Sequence, residues 1–190
     1  MRCPCCSQKI HKSAEACPHC GGDLLRLNRV YRNFDKRVRR PHDVAGVLRV
    51  QQRRKMEAWI RSLEKAFPDL FISVALVALN DGQDVRSYGF WLLNTGEFDD
   101  VPSTAYEEGG VMLVLDVHKK QMCLHFGYLL DDLVDEVEAF EVVSKAHPYL
   151  LEADYMNAVE LVLKKLKAFL VKKARESRRL SRKLAKGGKV

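Results

Sequence analysis

Apolar residues recur along this chain with different spacings, and each spacing predicts the element that a segment forms. Residues 70–79 (LFISVALVAL) are an unbroken apolar run rich in β-branched side chains, which predicts a strand buried on both faces of a helix-covered sheet. Residues 111–117 and 121–128 are two further apolar segments joined by a short basic turn, and they predict a β-hairpin. In the second of these strands apolar and polar residues alternate, so one face is expected to be buried.

A period of three to four residues predicts helices elsewhere. Residues 26–40 and 42–67 carry apolar residues at helical spacing, and each segment is followed by a proline, Pro41 or Pro68, so each is predicted as a helix. Two more helices are predicted after Leu129. The apolar face of the first comprises Leu130, Leu133, Val137, Phe140 and Ser144, and that of the second comprises Tyr155, Val159, Val162, Leu166 and Phe169.

Two remaining segments complete the predicted order of elements. Residues 88–94 (YGFWLLN) predict either a short strand or an apolar helical turn, and residues 95–110 are polar and acidic enough to predict a loop. The chain then reads as helix, strand, short apolar element, β-hairpin and two helices. This order predicts an α/β fold with a small mixed sheet and helices packed on its faces.

Five of the six cysteines lie within residues 3–20, in two copies of the pattern C-P-x-C. Two intervening residues let a tight turn direct both sulfurs at one ion, and the small residues Ser7 and Gly21 let backbone amides approach the thiolates. The segment resembles a zinc ribbon over roughly residues 1–24. The predicted zinc ligands are Cys3, Cys6, Cys17 and Cys20.

The other candidate ligands fit this pattern less well. His11 and His19 are alternatives, but four well-spaced sulfurs leave little reason to replace a thiolate. Cys5 would break the spacing, so its role stays open, and Cys123 is expected to be an inert strand thiol. The Zn²⁺ would be structural because all four positions are filled. Since some twenty residues bury too little apolar surface to fold alone, metal binding, worth about 10–16 kcal/mol in comparable peptides, would supply the stability.

The net charge of +7 is unevenly distributed. Residues 26–55 contain 11 Lys or Arg against two Asp, and residues 172–190 contain nine against one Glu, whereas residues 56–171 contain nine against 20 Asp or Glu. With the cysteines, this pattern predicts four regions. They are a zinc ribbon (1–25), a basic helical linker (26–55), an acidic α/β domain (56–171) and a basic C-terminal extension (172–190).

The longest apolar stretch is ten residues, too short to cross a bilayer, and the N-terminus has no apolar signal region. We therefore expect a cytoplasmic protein without a membrane span. A reducing compartment disfavours disulfides and leaves thiols available for a metal.

Residues 107–136, followed by residues 147–169, resemble the TPM-domain family of thylakoid-lumen phosphatase-like, photosystem-repair and receptor-auxiliary proteins. The resemblance rests on Gly110 before the first hairpin strand, the basic turn at 118–120 and Gly127-Tyr128 after the second strand. Asp131 stands where the family has a glutamate, and Pro148 and Ala153-Asp154-Tyr155 match the later helices. The resemblance covers roughly residues 45–170 and implies a TPM-like sandwich of helices on a central sheet.

Some members of that family have been assigned acid phosphatase activity, and some bind calcium at acidic loops. The resemblance therefore implies candidate catalytic residues in the acidic cluster after the hairpin, namely Asp131, Asp132 and Asp135, where Ca²⁺ or Mg²⁺ could bind together with acidic residues of the 95–110 loop. The alternative is that these carboxylates only stabilise the helix N-terminus, by about 0.3–1 kcal/mol each. Asp116, in the first hairpin strand, is expected to face solvent.

These patterns lead to three functional hypotheses. The first is a non-catalytic interaction or adaptor protein whose ribbon and TPM-like domain bind a protein partner. The second is a divalent-metal-dependent phosphatase that uses the acidic cluster. The third is a nucleic-acid- or ribosome-associated factor that contacts phosphates through the basic flanks. The alternative for those flanks is a solvated tail, or one that folds onto the acidic body.

Overall fold

The computed structural model describes residues 2–11, 13–98, 108–131, 133–134 and 136–187, and the side chains of residues 131, 136 and 180–187 lie outside that description. The helices are α1 (Leu24–Val30), α2 (Val50–Ala66), α3 (Val85–Thr95), α4 (Tyr128–Asp131), α5 (Glu136–Ser144), α6 (His147–Leu151) and α7 (Tyr155–Gly187). The strands are β1 (Arg37–Val38), β2 (His42–Asp43), β3 (Phe71–Val77), β4 (Glu97–Phe98), β5 (Gly110–Asp116) and β6 (Gln121–Phe126).

A four-stranded mixed sheet with the order β2-β3-β5-β6 forms the centre of the molecule. β2 and β5 run parallel to β3, and β6 runs antiparallel to β5, which confirms the predicted hairpin. Every residue of β3 and β5 is buried, because helices cover both faces of these central strands. β1 and β4 form a separate parallel pair.

Successive residues of β3 enter two different apolar clusters, as the strand period of two requires. Ile72, Val74 and Leu76 pack against α2 and α7 on one face of the sheet. Phe71, Ala75 and Val77 face the other side, where they pack against α3 and against residues 2–31 beyond it. The fold is therefore a sheet between two helical layers, with the N-terminal segment added outside α3.

α3 crosses β6 at very short range, and Gly89 makes this approach feasible. A Cβ atom at position 89 would lie 2.2 Å from Cδ2 of His125 and 2.8 Å from Cγ2 of Val114. The His125 ring places Nε2 3.2 Å from the carbonyl oxygen of Val85. Burial lowers the pKa of His125 to about 4, so the ring is neutral at pH 7 and donates this hydrogen bond through Nε2.

The first two predicted helices are wrong in extent. α1 ends at Val30, and the chain then turns and forms β1 and β2 before α2 begins at Val50. Asp43 holds the turn before α2, because its carboxylate accepts hydrogen bonds from the amides of Val47 and Leu48 at 3.1 and 3.0 Å. The apolar residues of this region pack against the sheet domain rather than along one continuous helix. The division of the chain into four regions stays a prediction.

The apolar segment at residues 88–94 lies within α3, which is its helical alternative. The predicted buried face of α5 is wrong, since Leu133, Val137 and Phe140 are 47%, 65% and 67% exposed. A helix continuous from Leu130 would have buried them. However, α4 and α5 are separate helices, so the residues of α5 that face the core do not follow the spacing that starts at Leu130. The residues that pack inward instead are Val134, Val142 and Val143.

Asp116 is fully buried rather than solvated, which corrects the expectation for this strand residue. It ends a central strand whose two faces are covered. Its Oδ1 accepts hydrogen bonds from the amides of Leu79 and His118 at 3.2 and 3.0 Å. The carboxylate thus ties the end of β3 to the hairpin turn.

Candidate metal centre

The N-terminal residues form two knuckles with the same backbone geometry. Cys3 and Cys17 each donate an amide hydrogen bond to the carbonyl five residues later, at 2.8 Å in both knuckles. Ser7 and Gly21 each donate back to the carbonyl of the first cysteine and have φ of 60° and 69°. This positive φ lets each turn reverse tightly after its second cysteine, and it is readily adopted by the glycine of the second knuckle.

The knuckles bring together the four sulfurs that the spacing singled out. The Sγ atoms of Cys3, Cys6, Cys17 and Cys20 all lie within 4.8 Å of one another. The Cys3–Cys20 and Cys6–Cys17 sulfur pairs are each 3.6 Å apart. A tetrahedral zinc with bonds of about 2.3 Å needs sulfurs about 3.8 Å apart. The donor set and its spacing therefore fit Zn²⁺, and the four ligands would leave no position for water.

The electrostatics of the cluster favour a bound cation. Burial raises the pKa of Cys17, but amide hydrogen bonds from His19 and Cys20 outweigh it and lower the pKa to about 6. The amide of Gln8 acts in the same direction on Cys6, yet burial and the neighbouring sulfurs raise the pKa of that thiol to about 12. One thiolate forms readily, whereas four adjacent negative charges need a divalent ion to balance them.

The alternative ligands lie outside this cluster. His11 directs Nδ1 to the hydroxyl of Ser13 at 2.7 Å, and His19 is exposed. Cys5 lies beside the cluster, since a Cβ at Gly22 would come within 3.3 Å of its sulfur. Burial and the nearby Cys3 and Cys20 raise the pKa of Cys5, so it remains a protonated neighbour.

The ribbon, which we define here as residues 2–23, and the segment that follows it pack onto α3 through residues that no sequence pattern connected. Tyr31 is fully buried, and its hydroxyl lies 2.6 Å from that of Ser87. Trp91 donates from Nε1 to Asn28 at 2.8 Å, and Arg86 donates to the hydroxyl of Ser7 at 2.6 Å.

Aromatic rings fill the space between these polar contacts. The ring of Tyr31 lies 5.3 Å from those of Tyr88 and Trp91, and Phe34 lies 5.1 Å from Tyr88. Such pairs add about 0.5–1.5 kcal/mol each beyond the area that they bury. The only available sequence signal was the concentration of aromatic residues in two distant segments, which does not reveal that they meet.

The proposed acidic centre falls largely outside the described residues. Asp132 and Asp135 lie outside them, as do the acidic residues at 99, 100 and 107, and the side chain of Asp131 is not described. The catalytic role of these residues and their binding of Ca²⁺ or Mg²⁺ stay predictions. Across the residues that the structure does describe, the four cysteines are the one group of three or more His, Cys, Asp or Glu side chains close enough to share a metal.

Several cations of the basic flanks pair with carboxylates of the body. Arg40 pairs with Glu64 and Lys55 with Glu160 of the body, whereas Arg53 pairs with Asp43 inside the linker itself. At the start of the C-terminal extension, Lys172 and Lys173 contact Glu138 at 3.6 and 2.6 Å. These flanks therefore neutralise part of the acidic domain, in keeping with the alternative in which the tail folds onto the body.

No helix in the described part of the chain is long and apolar enough to cross a membrane.

Comparison with known proteins gives a family match and a set of similar folds. Residues 42–169 match the family model described as the TPM domain, a range that excludes the ribbon and α1. No curated protein matches the chain.

Three solution NMR structures are similar in fold. The BA42 protein of Bizionia argentinensis has a TM-score of 0.53 at 14% identity, covering 68% of this chain and 86% of its own. The N-terminal domain of a P. gingivalis protein has a TM-score of 0.52 at 16% identity, covering 68% and 80%. The N-terminal domain of a Corynebacterium glutamicum protein has a TM-score of 0.50 at 15% identity, covering 67% and 76%. At such identities the likeness shows the fold alone.

Proposed function

Since the chain belongs to the TPM-domain family, we propose that it is a non-catalytic interaction protein, in which a structural zinc ion holds an N-terminal ribbon against the TPM domain. The ribbon and the domain together present one composite surface to a protein partner. The basic flanks would steer an acidic partner toward that surface.

One observation carries this proposal: the cysteine cluster is joined to the apolar core of the domain. Cys3 and Cys17 are 2% and 3% exposed and belong to the same cluster of buried side chains as Tyr88, Trp91 and Phe90 of α3. A closed centre with four thiolates supports a structural role, because catalytic zinc keeps a position for water or substrate. Its attachment to α3 supports a rigid orientation of the ribbon, as an adaptor needs.

The chemistry of the cluster supports zinc over harder cations. Thiolates are soft ligands that favour Zn²⁺, whereas Ca²⁺ and Mg²⁺ take oxygen ligands. Amide hydrogen bonds reach the sulfurs of Cys6, Cys17 and Cys20, and such contacts orient ligands and spread their charge.

The experiment measures metal content, partner capture and turnover on the full-length protein. We expect one zinc per chain by elemental analysis, zinc-dependent enrichment of a protein partner from native lysate, and loss of both on Cys17→Ser. Cys5→Ser is the matched control, because this thiol lies beside the cluster but is not one of the four that could share a metal, and the variant should keep both properties.

Two results would contradict the proposal. One is a chain purified without stoichiometric zinc whose ribbon remains folded. The other is turnover of a generic phosphomonoester that depends on Ca²⁺ or Mg²⁺ and is lost on Asp131→Asn, which would support the phosphatase hypothesis instead.

A further inference from the structure

A groove of about 920 Å³ runs along β6, and every residue from Lys120 to Phe126 lines it. β6 is the end strand of the four-stranded sheet in the described residues, paired on one side with β5. Successive side chains of a strand point to opposite faces of its sheet. Residues of both faces can line one cavity only where that cavity follows the edge of the strand, so the groove lies along the edge of the sheet.

The backbone of β6 presents hydrogen-bonding groups to this groove. Gly127 donates to the carbonyl of Gly110 at 2.7 Å, and the register pairs Val111 with Phe126. In an antiparallel ladder, alternate residues direct their N–H and C=O groups to the partner strand. The groups that point away from β5 are therefore those of Met122, Leu124 and Phe126.

These outward groups are not satisfied by a neighbouring strand. Among the described residues, no backbone group bonds to those of Met122, Leu124 or Phe126 on the groove side. The thiol of Cys123 contacts the carbonyl of Leu124, at 3.6 Å. An edge of this kind is a template for another extended chain.

The two walls of the groove differ in chemistry. α5 forms an apolar wall, where Val137 and Phe140 are 65% and 67% exposed. The ribbon and the start of α3 form the opposite wall, which carries Arg2 and Arg86, and Lys120 lies at one end of the edge strand. No acidic side chain lines the groove among the described residues. Large exposed apolar side chains beside a strand edge and a row of cations mark a binding surface rather than an ordinary solvated face.

We propose that this groove binds an extended acidic segment of a partner protein, which adds to β6 as a further antiparallel or parallel strand of the sheet. The proposal rests on the interaction function above and names its partner's chemistry. Because side chains of the added strand alternate between the two walls, the segment carries apolar residues alternating with Asp or Glu. The apolar residues contact Val137 and Phe140, and the carboxylates face Arg2 and Arg86.

Charge complementarity favours this occupant over two others. A second copy of the chain would place the same cationic wall against this one, and the chain's own C-terminal extension carries nine Lys or Arg against one Glu. Both would be repelled by the groove, whereas an acidic strand would be attracted to it.

The test uses the full-length, zinc-loaded protein and a fluorescein-labelled, end-blocked peptide of ten residues in which valine and glutamate alternate. Fluorescence anisotropy should show saturable binding. A peptide with lysine in place of glutamate should bind at least about tenfold more weakly, because its charge no longer complements the wall. N-methylation of alternate amides should weaken binding about tenfold or more in the frame that faces β6 and leave it unchanged in the other frame.

Variants of the protein test the walls separately. Phe140→Asp should weaken binding of the valine–glutamate peptide about tenfold by removing an apolar contact and adding a repulsive charge. Arg2→Glu should weaken it while improving binding of the lysine peptide. Leu25→Asp is the matched control, since Leu25 is 67% exposed but lies on α1, outside the groove lining, and this variant should bind as the wild type does.

Three outcomes would overturn the groove proposal. They are no binding of the valine–glutamate peptide, equal binding of both N-methylated frames, and a dimer in sedimentation that Phe140→Asp dissociates, which would make a second copy the occupant. If the peptide fails while zinc-dependent partner capture persists, the groove proposal alone is wrong. If zinc and capture are both absent, the proposed function fails.

Discussion

The ribbon and the sheet domain gain their stability from different sources. In the described residues of the ribbon, only Cys3, Ile10 and Cys17 are buried, and its two knuckles are held by turns and four neighbouring sulfurs. In the sheet domain every residue of β3 and β5 is buried between helical layers. Burial of apolar surface contributes about 25 cal/mol per Å², so the domain can fold on its core, whereas the ribbon depends on a metal.

The residues between the ribbon and the sheet domain show that the two parts are not structurally independent. α1, Tyr31 and Phe34 belong to neither part by composition, yet they pack against α3 through an aromatic cluster. The end of the ribbon that leads into α1 is thereby packed against the sheet domain. We expect a change at the cluster to affect both parts and a change at the sulfurs to affect the ribbon first.

The largest expected effect comes from Cys17→Ser. Structural zinc contributes about 10–16 kcal/mol to the folding of small four-ligand modules, so loss of one ligand should unfold the ribbon and leave the sheet domain cooperative. Hydrogen exchange should show amides of residues 2–23 losing protection while those of β3 and β5 keep theirs. Equal loss of protection in β3 would show that the two regions fold as one unit.

Cys5→Ser is the matched control for this experiment. Its sulfur lies beside the cluster but is not one of the four that share a centre. The variant should retain zinc and ribbon protection. Loss of the metal from Cys5→Ser would instead make Cys5 a ligand.

The second largest effect should come from Trp91→Ala. The side chain is fully buried at the junction, and truncating a buried aromatic residue costs about 3–5 kcal/mol. Urea denaturation should show this loss in the free energy of unfolding. Trp59→Ala, at a half-buried site on α2, is the comparison and should cost clearly less. Similar losses of unfolding free energy in the two variants would show that Trp91 contributes no more to stability than a half-buried tryptophan does.

Acid should weaken the sheet domain through His125. Its pKa is about 4 in the folded protein against an ordinary 6.5, so between these values the unfolded chain binds a proton that the folded chain excludes. The stabilisation that the neutral, buried ring of His125 adds to the free energy of unfolding is fully present above pH 6.5. It is lost as the pH falls and is absent below about pH 4, for a total loss of up to about 3 kcal/mol.

The measurement is the free energy of unfolding as a function of pH for the wild type and His125→Gln. Thiolate protonation at the ribbon affects both proteins alike, so the difference between the two curves isolates the histidine. That difference should shrink between pH 6.5 and 4. Parallel curves over this range would mean that His125 titrates normally in the fold.

The smallest effect should come from Asn28→Ala. Asn28 accepts the hydrogen bond from Nε1 of Trp91, and its loss leaves a buried donor, at a cost of about 1–2 kcal/mol. Thermal unfolding should report this decrease, together with faster amide exchange in α1. Asn33→Ala, at an exposed position of the neighbouring turn, should change neither. An unchanged melting temperature for Asn28→Ala would indicate that ring packing alone secures the junction.

Local patterns predicted the features that depend on neighbours in the sequence. The C-P-x-C spacing identified the four cysteines, because two intervening residues let a tight turn direct both sulfurs at one point. The apolar run at 70–79 and the segments flanking residues 118–120 identified β3 and the β5–β6 hairpin. The resemblance to the TPM-domain family rested on residues of this same region, and the family match confirms it.

Patterns misled where packing partners decide the outcome. Helical spacing in 26–40 suggested a helix, but Tyr31 and Phe34 meet Tyr88 and Trp91 from a turn. The face of α5 was assigned by continuing a period across residues where the helix is interrupted. Asp116 was expected in solvent because an acidic residue usually is, yet it is buried, and two amides from either side of the strand ends donate to its Oδ1.

The sequence by itself determined which sulfurs gather and which segments form β3, β5 and β6, because these follow from spacing along a few residues, whereas β2 lay inside a predicted helix. Only the tertiary structure decided that the ribbon joins the core through α3, and that β6, the end strand among the described residues, lies beside a basic wall and an apolar one. These features bring together residues that are far apart in the chain, and no local period encodes which distant side chains will share a surface.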